Sequence, residues 1–168
     1  NTSSIRDILN TVFQKLIQEE AAEFFLGGYG EFDRIAASVL NTLKQNYPYI
    51  TVILVIPYPN QKCDLTLYDS SVYPPLENVP ARYAILRRNE WMVDQSDIVV
   101  SYIRHPFGGA FNTTAYAKRR KKTHYPPVTA NTSSRPQICG RRVLGVVSNT
   151  AVEEQTKERP ARAPPVPP

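Results

Sequence analysis

The chain has 168 residues, 20 Lys and Arg against 15 Asp and Glu for a formal charge of +5, and 15 prolines against 7 glycines. That length fits one α/β domain rather than two, and an apolar content of 42% is enough for a core. No run approaches the roughly 20 apolar residues of a membrane span, no basic-then-apolar leader opens the chain, and two cysteines are too few for a disulfide framework, so a cytoplasmic protein is expected.

Ile5, Ile8, Leu9, Val12, Phe13, Leu16 and Ile17 recur at helical spacing, with Ser4 and Asp7 as a capping box. Glu23-Phe24-Phe25-Leu26, ending at Gly27-Gly28, reads as a buried strand. A second helix is expected over 33–45, burying Ile35, Ala36, Val39, Leu40 and Leu43. The β-branched run 50–56 lacks polar alternation and stops at Pro57, as a parallel strand covered on both faces does. Residues 57–80 form a long proline-rich connection, read as a lid or ligand-side loop. A third helix from Pro80 to about Gln95, a third strand over 97–103 and a last helix opening at Asn112-Thr113 and closing in the basic run 118–122 complete the series.

This order predicts an α/β fold, a Rossmann-like doubly wound parallel sheet with helices on both faces. The chain opens within a helix, so the first strand is expected to be missing. Val143-Leu144-Gly145-Val146-Val147 is a further strand candidate, set far from the last helix.

Charge divides the chain sharply. Residues 1–117 carry 9 basic and 12 acidic side chains, a net of −3, whereas 118–168 carry 11 basic and 3 acidic, a net of +8, with 8 of the prolines. The domain is accordingly placed at 1–122, and 123–168 is read as a basic, Pro-rich, disordered tail ending in a polyproline-like Pro164-Pro165-Val166-Pro167-Pro168.

In open parallel sheets ligands bind beyond the carboxyl ends of the strands, where turns present backbone N–H groups and helix N-termini. Two turns fit: Gly27-Gly28-Tyr29-Gly30-Glu31-Phe32-Asp33 after the first strand, and Gly108-Gly109-Ala110-Phe111-Asn112-Thr113-Thr114 after the third. Glycine lets the backbone approach an anion, and Asn112 or Thr113 can cap a helix and donate to a phosphate oxygen. Gly28-Tyr29-Gly30 lacks the third glycine of the dinucleotide fingerprint, and no Gly-Lys-Ser/Thr P-loop is present, which excludes the ordinary NAD enzyme and P-loop hydrolase.

The series Gly28-Tyr29-Gly30-Glu31-Phe32-Asp33, Tyr68-Asp69, Tyr73-Pro74, Glu77, Val79-Pro80, Arg82-Tyr83-Ala84-Ile85, Arg88-Asn89-Glu90-Trp91-Met92-Val93, Ser96-Asp97 and Gly108-Gly109-Ala110 through Tyr116-Ala117 resembles the SLOG superfamily over about residues 5–122, and within it an uncharacterised bacterial branch common in Firmicutes. The superfamily includes cytokinin-activating phosphoribohydrolases, the DNA-processing protein of natural transformation and ligand-sensing domains of nucleotide-signalling defence systems. The resemblance implies a Rossmann-like domain that binds a nucleotide or nucleotide-derived ligand across the two loops. By position it implies Gly28, Gly30, Phe32 and Asp33 in the first loop, with Asp33 capping its helix and meeting a ribose hydroxyl. Gly108, Gly109, Ala110 and Thr113 form the implied phosphate cradle, and Arg88 and Asn89 a polar pair facing the crevice.

Two departures stand out. Where the phosphoribohydrolases carry Gly-Thr-x-x-Glu, this chain has Asn112-Thr113-Thr114-Ala115-Tyr116 and no carboxylate, so no catalytic residue is assigned. The family's short apolar strand after the last helix is replaced by Thr123-His124-Tyr125-Pro126-Pro127, which cannot form a central strand and marks the tail as a replaced or frameshifted end.

The function expected is therefore binding or sensing of a nucleotide-like small molecule. The alternatives are an N-glycosidic hydrolase using Glu31 or Glu90, and single-stranded nucleic-acid binding through the basic run. No cofactor, metal or membrane is called for: His105 and His124 lack ligand spacing, Cys63 and Cys139 read as thiols, and Asp94 with Asp97 and Glu31 with Asp33 read as helix ends. A homo-oligomer remains compatible with the sequence.

Overall fold

The computed structural model describes residues 2–103, 106–125 and 141–144. Among these residues four helices and six strands follow one another: α1 (Thr2–Gln18), β1 (Ala21–Leu26), α2 (Glu31–Lys44), β2 (Thr51–Val55), β3 (Ser70–Val72), α3 (Ala84–Gln95, preceded by a 3-10 turn at Ala81–Tyr83), β4 (Ile98–Val100), α4 (Gly109–Arg119), β5 (Thr123–Tyr125) and β6 (Arg141–Leu144). The strands form one sheet in the order β3-β2-β1-β6-β4-β5, and every pairing is parallel. This is the expected Rossmann-like α/β architecture.

Strand side chains alternate between two apolar layers. Phe24, Leu26, Val52, Ile98 and Val100 face α1 and α2, meeting Leu9, Phe13, Leu16, Ile17, Ile35, Val39 and Leu40. Phe25, Ile53, Val55 and Val99 face the other way, onto Met92 and Val93 of α3 and Ala117 of α4. Burial on both faces explains why β2 shows no polar alternation. Phe13 meets Phe24 edge-to-face at 5.6 Å, both fully buried, and each such side chain contributes about 2–3 kcal/mol of transfer free energy.

Several expectations are corrected. Ser4 lies within α1, which begins at Thr2, so it does not open that helix. The 57–80 connection is not structureless. Asp69 accepts from the Val52 N–H at 2.8 Å and pairs with Lys44, bringing Ser70–Val72 alongside β2 as an edge strand. The stretch 123–168, read on composition as a tail holding one strand candidate at Val143–Val147, supplies two strands, the second overlapping that candidate at Val143 and Leu144. Thr123–Tyr125 pairs with β4 at the sheet edge and ends before Pro126, where no further ladder donor is needed. Arg141–Leu144 lies at the centre, between β1 and β4, with Phe24 opposite Val143 and Ile98 opposite Val143 on the other side. His105, Cys139 and the polyproline end lie outside the described residues.

Candidate functional site

Helices α2 and α4 both start at the carboxyl edge of the sheet, one after β1 and the other after β4, on either side of the centre where the strand order reverses. Each is entered through a glycine in nearly the same conformation. Gly30, before α2, has φ 93° and ψ 171°; Gly108, before α4, has φ 92° and ψ −175°. That region is essentially closed to residues with a Cβ. Neither glycine offers a side-chain cap, so the first-turn N–H groups of both helices lack the usual side-chain acceptor.

Beneath the first loop lies a buried polar cluster. Asp33, 4% exposed, accepts from the Tyr29 N–H through Oδ2 at 2.8 Å, and its Oδ1 has no hydrogen-bond partner. Asp33 thus reaches back past the helix start instead of capping Gly30, in the manner of the N3 residue of a capping box. Burial pushes its carboxyl up to about 7; the nearby Arg88 charge and the Tyr29 N–H pull the other way. The Tyr29 hydroxyl donates to Gln61 at 2.9 Å, fastening the 57–80 connection over the loop. Burial, with the Asp33 charge next, pushes the Tyr68 hydroxyl up to about 12.

Arg88 and Asn89, adjacent on α3, each hold a different loop. Arg88, 3% exposed, donates through Nη1 to the Gly27 carbonyl at 2.7 Å and to the Val55 carbonyl at 3.0 Å, and stacks its guanidinium on the Tyr29 ring at 5.2 Å. A Cβ at residue 27 would stand 2.6 Å from that Nη1, so any side chain there would have to displace the guanidinium. Asn89 donates to Thr113 Oγ1 at 3.3 Å, and Thr113 donates on to the Gly109 carbonyl at 2.8 Å. Both residues are buried braces behind the loops rather than groups lining an open crevice.

The second loop differs from its sequence reading in register. Helix α4 begins at Gly109, so Asn112 and Thr113 fall inside it and neither caps it. Thr113 and Ala110 are buried; Asn112 is exposed on the helix surface. Gly109 itself faces open space, with nothing within 4 Å of the position a Cβ would take. Phe32 is buried and stacks on Tyr102, beyond β4, at 5.3 Å and 6°, joining the entrance of α2 to the end of β4.

Of the acidic residues read as helix ends, Asp33 is buried, whereas Glu31 and Asp94 lie at helix ends. Glu90 pairs with Arg87 at 2.6 Å, and Glu31 occupies the exposed first turn of α2. Asp94 accepts from the Tyr116 hydroxyl and from Arg120, while Lys122 donates to the Asp94 carbonyl. The basic run therefore docks where α3 and α4 end, at the sheet edge opposite the glycine loops. One contact escaped sequence reading: Ser101, just past β4, lies 2.8 Å from His124 Nε2 of β5, because the residues are 23 apart and meet only through strand pairing. Among the described residues no group of three or more His, Cys, Asp or Glu could hold a metal ion, and no helix is long and apolar enough to cross a membrane.

Fold and site together define a doubly wound, Rossmann-like α/β protein with twin glycine-entered helices at its carboxyl edge. No family model matches the chain. It is 26% identical over 145 residues to the SPbeta prophage-derived protein YoqJ of Bacillus subtilis (strain 168), a protein described as uncharacterized; the match covers 71% of this chain and 84% of that one.

Proposed function

We propose that this chain binds a nucleotide or nucleotide-derived ligand across its two glycine loops and acts as a sensor of that ligand, in the manner of SLOG domains. The observation that carries the reading is the matched pair Gly30 and Gly108. Two helices start at one sheet edge from the same glycine-only conformation, with no side-chain cap at either. Positive ends of helix dipoles and first-turn N–H groups suit phosphate oxygens, and two of them suit a ligand with spaced anionic groups. The braces Arg88 and Asn89 keep the loops in place before a ligand arrives, which lowers the ordering cost of binding. Of the two carboxylates that hydrolysis could use, Glu90 is paired with Arg87 on the face of α3, and Glu31 lies in the exposed first turn of α2.

Calorimetry with ADP-ribose, AMP and cyclic nucleotides tests the proposal, with Gly109→Asp as the control variant. Open space at residue 109 accommodates the side chain, and an acidic residue in a first helical turn favours the fold. The same charge repels a phosphate. Saturable binding that weakens at least tenfold in the variant is expected; absence of binding by all three ligand classes refutes it.

A further inference from the structure

Asp33 occupies an unusual place. Its carboxyl is enclosed by the first glycine loop, bonds to that loop through the Tyr29 N–H, and leaves Oδ1 unpartnered. The nearest strong cation, Arg88, does not supply the missing bond: its Nη1 donates to the carbonyls of Gly27 and Val55, and its Nε has no partner either. The groups that act on Asp33 electrostatically are Arg88 from α3 and Tyr29 from the loop, and Asp33 in turn acts on Tyr68 of the 57–80 connection; Tyr58 and Cys63 stand around Tyr29. An anionic carboxyl with an unmatched oxygen in such surroundings is costly, and a proton on Oδ1 removes the buried charge, the larger part of that cost, while Oδ2 keeps its bond to Tyr29.

We infer that anion binding at the first glycine loop is coupled to uptake of one proton by Asp33, so that the site takes a negatively charged ligand with the carboxyl in its neutral form. The inference rests on the ligand reading above and adds its regulation. A phosphate on the N–H groups at the start of α2 places negative charge beside a carboxyl two residues beyond that start, which favours the protonated form. By linkage, protonation then tightens the ligand by the same factor. The buried carboxyl titrating near neutrality, at about 7, places this coupling within an accessible range.

Coupling of one proton weakens the ligand by at most about tenfold for each pH unit above the free-state titration. The test uses the full chain with ADP-ribose and cyclic AMP, whose pyrophosphate and phosphodiester charges, respectively, do not titrate between pH 6 and 8. Calorimetry across that range should show affinity falling by about tenfold in the unaltered chain and staying constant in Asp33→Asn. Carbon-13 labelled aspartate gives a second readout: the Asp33 carboxyl should titrate near neutrality, and higher still with ligand bound. Equal affinities at pH 6 and 8 overturn the coupling and leave the ligand reading standing. A carboxyl that titrates in the ordinary aspartate range overturns the coupling whatever binds. No binding by the unaltered chain or by Asp33→Asn at any pH overturns both.

Discussion

Gly30 and Gly108 adopt the same backbone conformation, φ 93° and ψ 171° against φ 92° and ψ −175°, at the entrances of two helices that are 78 residues apart in sequence and share one sheet edge. A Cβ in that region costs about 1–3 kcal/mol. Gly30→Ala and Gly108→Ala should therefore each lower stability by that amount in urea denaturation. Gly109→Ala, one residue inside α4 and facing open space, should be neutral or slightly stabilising. Equal effects at 108 and 109 would contradict the conformational argument.

Removing the Arg88 brace should be more damaging. Arg88→Met strips a buried donor from the Gly27 and Val55 carbonyls and takes the cation away from Asp33, for an expected loss of about 2–4 kcal/mol. Because the Arg88 charge holds the Asp33 carboxyl down, the variant should also keep Asp33 protonated to higher pH. Chemical denaturation and the Asp33 carboxyl shift read these two consequences separately.

Asp33 gives a signed pH dependence. Its folded-state value, about 7, is above the ordinary aspartate value of 3.8, so the folded protein holds the proton more tightly than the unfolded chain. Its contribution is therefore most favourable below about pH 4, is lost as the pH rises to 7, and is level above that. The full span is up to about 4 kcal/mol. Asp33→Asn should remove this slope and be more stable than the unaltered chain at pH 8, measured as the difference between their unfolding free energies from pH 4 to 8.

The basic run is assigned no part in ligand binding. Arg120 and Lys122 dock on Asp94, and Arg119 lies 5.5 Å from the Tyr116 ring, all at the edge away from the glycine loops. Lys118→Gln with Arg119→Gln should leave ADP-ribose affinity within about twofold of the unaltered chain by calorimetry, since exposed charges beyond a Debye length of about 8 Å are largely screened.

Much of the fold was legible because the signals were periodic. The helical spacing of Ile5 through Ile17 and the unbroken apolar run at Thr51–Val55 each answer to a single arrangement, and the glycines after β1 and β4 mark turns by necessity. What escaped reading was held by tertiary contacts. Ser70–Val72 is polar and becomes a strand because Asp69 is anchored to Val52 and Lys44. Thr123–Tyr125 lies in a basic, Pro-rich stretch whose composition hides a parallel partner of β4, and in the same stretch the strand candidate at Val143–Val147 overlaps Arg141–Leu144 only at Val143 and Leu144, the strand starting at two arginines that carry no apolar signal. Arg88 and Asn89 carry polar side chains that, by sequence, suit a ligand; folding turns them inward as braces. The pairing of Ser101 with His124 has no local pattern at all.

The central claim, a ligand seated across both glycine loops, is tested most directly by mapping amide chemical shifts on a nitrogen-15 labelled chain titrated with ADP-ribose. The account predicts that the largest changes fall on the amides of residues 28–33 and 109–111, saturate together, and are lost in Gly109→Asp. Changes centred instead on residues 118–122, or confined to a face away from the carboxyl edge of the sheet, would contradict it.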